Sequence, residues 1–188
     1  IVVEGDAESW AGMEMKGGKI TVKGNALGWT GGEMKGGTIE IFGNGGDYLA
    51  SPFRAVEAGM KGGLIIVHGD VGHDVAAGLK GGTLKVMGSA GNFLGYNMVE
   101  GTIYVEKNIG GRAGAYMTGG KIIVGGTAGS VLPTFSIDSV KPKVKVDNAH
   151  QAAGPFYVFI GDLTEKTRGK LFINKASNPQ LSTYERYL

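Results

Sequence analysis

Residues with chemical potential are few in this chain. His68 and His73 share a short stretch with Asp70 and Asp74, and imidazoles beside carboxylates form the donor set of a divalent metal site. Their spacing matches no standard ligand pattern, so a solvated turn is the expectation. His150 stands alone. Met15, Met34, Met60, Met98 and Met117 recur in one column and offer soft sulfur ligands, but Leu79 holds the equivalent place. Leucine replaces a thioether in a core and cannot ligate, so the column reads as packing. Trp10 and Trp29 lie 19 residues apart and are expected to stack, with Phe93 at an equivalent position further on. Carbohydrate platforms use such pairs, though a core or subunit-facing ladder is the favoured reading. Gly125-Gly-Thr-Ala-Gly129 lacks the Lys-Ser/Thr ending and the following helix of a phosphate loop. Ser130 and Thr134 have no His nearby in sequence to activate them. No residue is assigned a catalytic, cofactor-binding or metal-binding role.

Bulk composition narrows the function further. The chain has 188 residues, and its net charge of +2 gives no electrostatic case for nucleic acid or an anionic membrane. Cysteine is absent, which excludes disulfides, thiol nucleophiles and iron–sulfur ligation by this chain. No stretch approaches membrane-spanning length, and no signal peptide is visible, so a cytoplasmic location is expected.

The elements that would position any site come from a repeat. Met15-Lys-Gly-Gly-Lys-Ile-Thr-Val-Lys-Gly24 returns at Met34, Met60, Leu79, Met98 and Met117, in steps of 19, 26, 19, 19 and 19 residues. A fixed period over so much chain decides the architecture. Apart from the eroded copy at Met98, which reads Met98-Val-Glu-Gly101, each copy has a Gly-Gly turn, followed by a short alternating stretch with period two, the mark of a strand with one buried face. Ile1, Ile20, Ile39, Ile65, Leu84, Ile103 and Ile122 form one aliphatic ladder, and Val3, Val22, Ile41, Val67, Val86, Val105 and Val124 a second. Stacked β-coils fit a repeat this short, with equivalent strands paired in parallel at about 4.8 Å. The fold class is therefore all-β, a parallel β-helix of 19-residue coils over 1–131. Residues 132–188 form a C-terminal β tail that caps or covers the column. Asp6, Asn25, Asn44, Asp70, Ser89, Asn108 and Thr127 make a polar column after the strands, and such side chains bond nearby backbone at turns.

The exceptions to the repeat are where partners are expected. One coil carries seven extra residues within 45–59, and repeat insertions become loops on the side of the column. Tyr48, Phe53 and Arg54 are the interface candidates there. Val2, Ile66, Tyr104 and Ile123 point outward from the strands and are too apolar for a solvated face. A partner or the tail must cover them, and Tyr104 joins the interface candidates. Ile1 stands inside a strand, so preceding residues or a partner are expected to cover that end.

The repeat Met-x-Gly-Gly-x-Ile-x-Val-x-Gly, the one enlarged coil containing Tyr48 to Glu57, the exit Val131-Leu-Pro-Thr-Phe135 and the tail segment Phe159-Ile-Gly-Asp-Leu-Thr-Glu165 together resemble the C subunit of formylmethanofuran dehydrogenase. The Gly-rich repeat alone is shared with the C-terminal domain of the glutamate synthase large subunit. The resemblance implies a right-handed β-helix and a non-catalytic, assembly-forming subunit. It also implies partner subunits that carry a tungsten or molybdenum pterin, iron–sulfur clusters and an amidohydrolase-type dinuclear metal site. Such complexes reduce carbon dioxide to formylmethanofuran in methanogenic archaea, while a bacterial relative runs formyl transfer and hydrolysis. Family members carry a segment before the first coils that this sequence lacks.

The function expected is that of a scaffold on which pterin-enzyme and amidohydrolase-type subunits dock, with pairing of identical columns left open. An alternative is the structural coupling domain of an archaeal-type glutamate synthase. A polysaccharide lyase is disfavoured, because Lys16, Lys35, Lys61 and Lys80 repeat at turns without the acidic counterpart such sites gather.

Overall fold

Alternating aliphatic residues bury only one face of a strand, so each strand needs neighbours carrying the same pattern. The computed structural model, which describes residues 1–53, 58–166 and 168–188, satisfies this by stacking. The strands β1 (Val2–Val3), β2 (Lys19–Val22), β3 (Thr38–Ile41), β4 (Leu64–Val67), β5 (Lys80–Val86), β6 (Glu100–Val105) and β7 (Lys121–Val124) pair in parallel in chain order. They form a β-solenoid of about six turns. Ile20 pairs with Ile39, Ile39 with Ile65, Ile65 with Leu84, Leu84 with Ile103 and Ile103 with Ile122. A second line of parallel bridges runs from Ala7 through Ala26, Gly45, Val71, Ala90 and Ile109 to Ala128. Between the two lines lies the core, in which Ile39, Ile65, Leu84, Ile103 and Ile122 are fully buried. Each such side chain contributes about 1.5–3 kcal/mol by leaving water.

The Met-x-Gly-Gly motif is a packing joint. Met34, Met60, Leu79, Met98 and Met117 are fully buried. The second glycine of each motif is left-handed, with φ of +95° at Gly63, and a Cβ there would lie 2.7 Å from both the Gly37 carbonyl oxygen and the Met34 methyl. Only glycine meets both the conformation and the close approach.

The polar column is a ladder of side chains that ties coil to coil. Asp6 Oδ1 accepts the Asn25 backbone N–H at 2.6 Å, Asn25 Oδ1 that of Asn44 at 2.8 Å, and Asn44 Oδ1 that of Asp70 at 2.9 Å. Asp70, Ser89 and Asn108 continue the pattern upward to Thr127. The longer step between Asn44 and Asp70 leaves the register unchanged.

After the coils the chain doubles back. Strand β8 (Ser136–Lys145) pairs antiparallel with β9 (Gln151–Ile160), β9 antiparallel with β10 (Lys170–Asn174), and β10 parallel with β7. Leu171 sits opposite Ile122 and Ile173 opposite Val124, so β10 prolongs both aliphatic ladders by one level. Asn178, fully buried before the 3₁₀ helix Pro179–Tyr187, donates to the Gly126 and Asn174 carbonyls and accepts the Ala128 N–H. The β8–β9 hairpin also covers the outer face of the upper strands. There Tyr104, Ile123, Phe172, Phe156, Val158 and Val144 make a second core, closed by an ion pair of Lys85 with Asp147. No helix among the described residues is long and apolar enough to cross a membrane.

Candidate functional site

Each coil turns its far corner with residues in the left-handed region, and the first of these is not glycine. The column reads Trp10, Trp29, Tyr48, Asp74, Phe93 and Arg112, with φ between 54° and 67°. Bulky residues adopt this conformation rarely and at a cost. Its recurrence at every level lines up large side chains along one flank. Trp10 stacks on Trp29 with ring centres 6.3 Å apart, and Trp29 on Tyr48 at 4.7 Å and 10°. Phe53, from the enlarged coil, meets both tryptophans edge-on at 5.7 and 6.0 Å. Higher up, the Arg112 guanidinium lies 5.2 Å from the Phe93 ring centre, Phe93 meets Tyr96 at 6.4 Å, and Tyr96 meets Tyr116 at 5.7 Å. Trp10 is 48 % exposed and Tyr116 51 %.

This flank has the composition of a recognition surface. Aromatic residues and arginine dominate the binding energy of protein interfaces, because they offer large rigid area with a polar edge. Two clefts open on it. One, of about 420 Å³, lies between Phe93, Arg112, Tyr116, Leu132, Thr134 and Asp162. Asp162 is buried and accepts the Tyr116 N–H at 3.0 Å, the Thr164 N–H at 3.0 Å and the Thr164 hydroxyl at 2.8 Å. Burial opposes its charge, but these donors outweigh that and hold the carboxyl below the usual range. The other cleft, of about 280 Å³, lies between Tyr48 and Tyr96 over Asp74. Burial and, secondarily, the nearby Asp47 charge push the Asp74 carboxyl up, against the pull of His73.

The histidines are committed elsewhere. His73 Nδ1 accepts the Asn92 N–H at 3.0 Å, and Asp47 Oδ1 accepts the His73 N–H at 2.7 Å, which makes a second side-chain ladder beside the first. His68 Nε2 pairs with Glu40 at 3.2 Å and its ring stacks on Phe42. Lys19 and then His68 hold the Glu40 carboxyl below its usual range. His150 packs edge-on against Tyr104 at 4.8 Å. Among the described residues no three His, Asp or Glu side chains are grouped to hold a metal ion.

Of the interface candidates from sequence, the structure brings Tyr48 and Phe53 together in the aromatic flank. Arg54 lies outside the described residues. Tyr104 is a correction: it is 8 % exposed beneath the hairpin of its own tail, so of the two covers expected for it, the tail is the one that buries it. Val2, at the other end of the same outward column, is 59 % exposed. Sequence reasoning missed Tyr96, Arg112 and Tyr116. Arg112 was findable, since it lies 19 residues beyond Phe93 in the column of Trp10 and Trp29.

No protein-family profile matches this chain, and no curated protein does. Among solved structures, the chain is similar to one chain of the formyltransferase/hydrolase complex (FhcABCD) from Methylorubrum extorquens, whose structure was determined with methylofuran. The two share 28 % identity over 93 % of this chain and 69 % of the other, and superpose with a TM-score of 0.81.

Proposed function

We propose that this chain is a non-catalytic scaffold subunit of a formylmethanofuran dehydrogenase-type assembly, the kind that includes formyltransferase/hydrolase complexes. The observation that carries this reading is the likeness, along nearly the whole chain, to a chain of such a complex. The aromatic flank supplies the docking surface. Its stacked rings are preorganised by the corner backbone, so little side-chain entropy is lost when a partner covers them. Partners of amidohydrolase and pterin-enzyme type carry the metals, clusters and substrate chemistry, and the whole works in the cytoplasm.

Native mass spectrometry of the chain purified from its source tests this. Wild type is expected to travel with other subunits, while Trp10→Glu and Tyr48→Glu lose them and keep the circular dichroism of the isolated fold. Wild-type material that carries no partner sinks the subunit reading. Full stoichiometry in both variants moves the docking surface off the aromatic flank.

A further inference from the structure

The column of Trp10, Trp29, Tyr48, Phe93 and Arg112 has one short member. At Asp74 the ladder loses its ring, and the cleft between Tyr48 and Tyr96 opens at that level. Tyr48 and Phe93 lie two coils apart, about 10 Å at the usual strand spacing, and a carboxylate does not fill the level between them. Tyr48, 39 % exposed, is covered on one side by Trp29 at 4.7 Å. The Asp74 carboxylate has no hydrogen-bond or ion-pair partner among the described residues, although its backbone N–H and carbonyl are both engaged, with Asn92 and Ser51. Asp47, in the next column, adds a second negative charge nearby.

We propose that this gap receives an arginine side chain from a partner subunit. The guanidinium stacks on Tyr48 as the missing ring and pairs with the Asp74 carboxylate. The ladder already contains the stacking half of this arrangement once, where the Arg112 guanidinium lies 5.2 Å from the Phe93 ring centre. A planar cation satisfies both the flat slot and the charge, whereas an ammonium satisfies only the charge. The inference rests on the subunit reading above and names the chemistry with which the partner is held.

The test uses two peptides, acetyl-Gly-Arg-Gly-amide and acetyl-Gly-Lys-Gly-amide, titrated into the isotope-labelled chain by NMR. The arginine peptide is expected to shift the amides of Tyr48, Asp74, Tyr96 and Asn97, with the lysine peptide roughly fivefold weaker. Asp74→Asn and Tyr48→Leu are each expected to weaken the arginine peptide about tenfold. Equal binding of both peptides, shifts confined to other residues, or undiminished binding to Asp74→Asn overturns the inference. The two readings fail separately. A chain that binds the arginine peptide yet brings no partner in native mass spectrometry overturns the subunit reading and keeps only the gap's preference for arginine. A chain that assembles normally, ignores the peptide and assembles as tightly with Asp74→Asn overturns the arginine inference alone.

Discussion

Asn178 Oδ1 accepts the Ala128 backbone N–H at 2.9 Å, in the place where every lower coil uses a main-chain carbonyl of the coil above. Ala7 donates to the Asn25 carbonyl, Ala26 to that of Asn44 and Ile109 to that of Thr127. One amide side chain thus stands in for a coil that is not there. Asn178→Ala leaves the Ala128 N–H and the Gly126 and Asn174 carbonyls short of partners in a buried place. A loss of about 2–4 kcal/mol is expected, read by urea denaturation. A loss below about 0.5 kcal/mol would show that water replaces the amide without cost.

The Asn44–Asp70 step makes a similar demand at the surface. Asn44→Ala removes the acceptor for the Asp70 N–H at the one long step of the stack. The expected loss is about 1 kcal/mol, and Asn44→Asp is expected to restore most of it, since Asp6 and Asp70 fill the same role. Thermal melts of the three proteins check the order.

Tyr104 separates folding from association. Tyr104→Glu places a charge in the second core against Ile123, Phe156 and Val158. The isolated chain is expected to lose about 3–5 kcal/mol, and the hairpin amides to exchange faster with solvent. Unchanged stability would mean that the hairpin does not cover this face in solution.

Phe53 shields the two tryptophans of the chain. Phe53→Ala is expected to raise quenching of their fluorescence by acrylamide, with a stability change near 1 kcal/mol. Quenching equal to wild type would place Phe53 away from the stack.

Tyr157 sets the alkaline limit of the tail. Burial, then its hydrogen bond to Glu185, push its phenol up to about 12. A raised folded value means that its contribution is complete below about pH 10, the unfolded value, and is lost as pH rises through about 12. Ultraviolet titration should find Tyr157 among the last phenols to ionise, with Tyr157→Phe removing that step. On the acid side Asp162 is held low, so its contribution is present above about pH 3.9 and is lost as pH falls through its folded value.

The column was legible in sequence because each coil repeats the same demand. Ile39 and Ile65 must face the same core, so their spacing reports their pairing even across the insertion. The tail repeats nothing. Lys170-Leu-Phe-Ile173 has the same lysine-then-apolar pattern as Lys121-Ile-Ile-Val124, yet only the fold shows that the two lie side by side. Tyr104 was recognised as an outward apolar residue, but an outward residue looks the same under a partner as under its own tail. Tyr48 and Phe53 were found through the length irregularity around them. Tyr96 and Tyr116 were not, because their corner is defined by left-handed backbone, which a sequence full of glycine conceals.

Strand β8 bounds the whole sheet, and its makeup limits how molecules of this kind can aggregate. It carries Pro142, lysines at 141, 143 and 145, and two breaks in register with β9. Proline withholds a donor, lysine charges repel a like strand, and bulges bend the template away from a flat partner. A fibre of stacked columns would need two complementary ends, since open-ended growth requires a head that fits a tail. With the β8 side blunted, head-to-tail stacking of columns lacks one of the two ends that it needs.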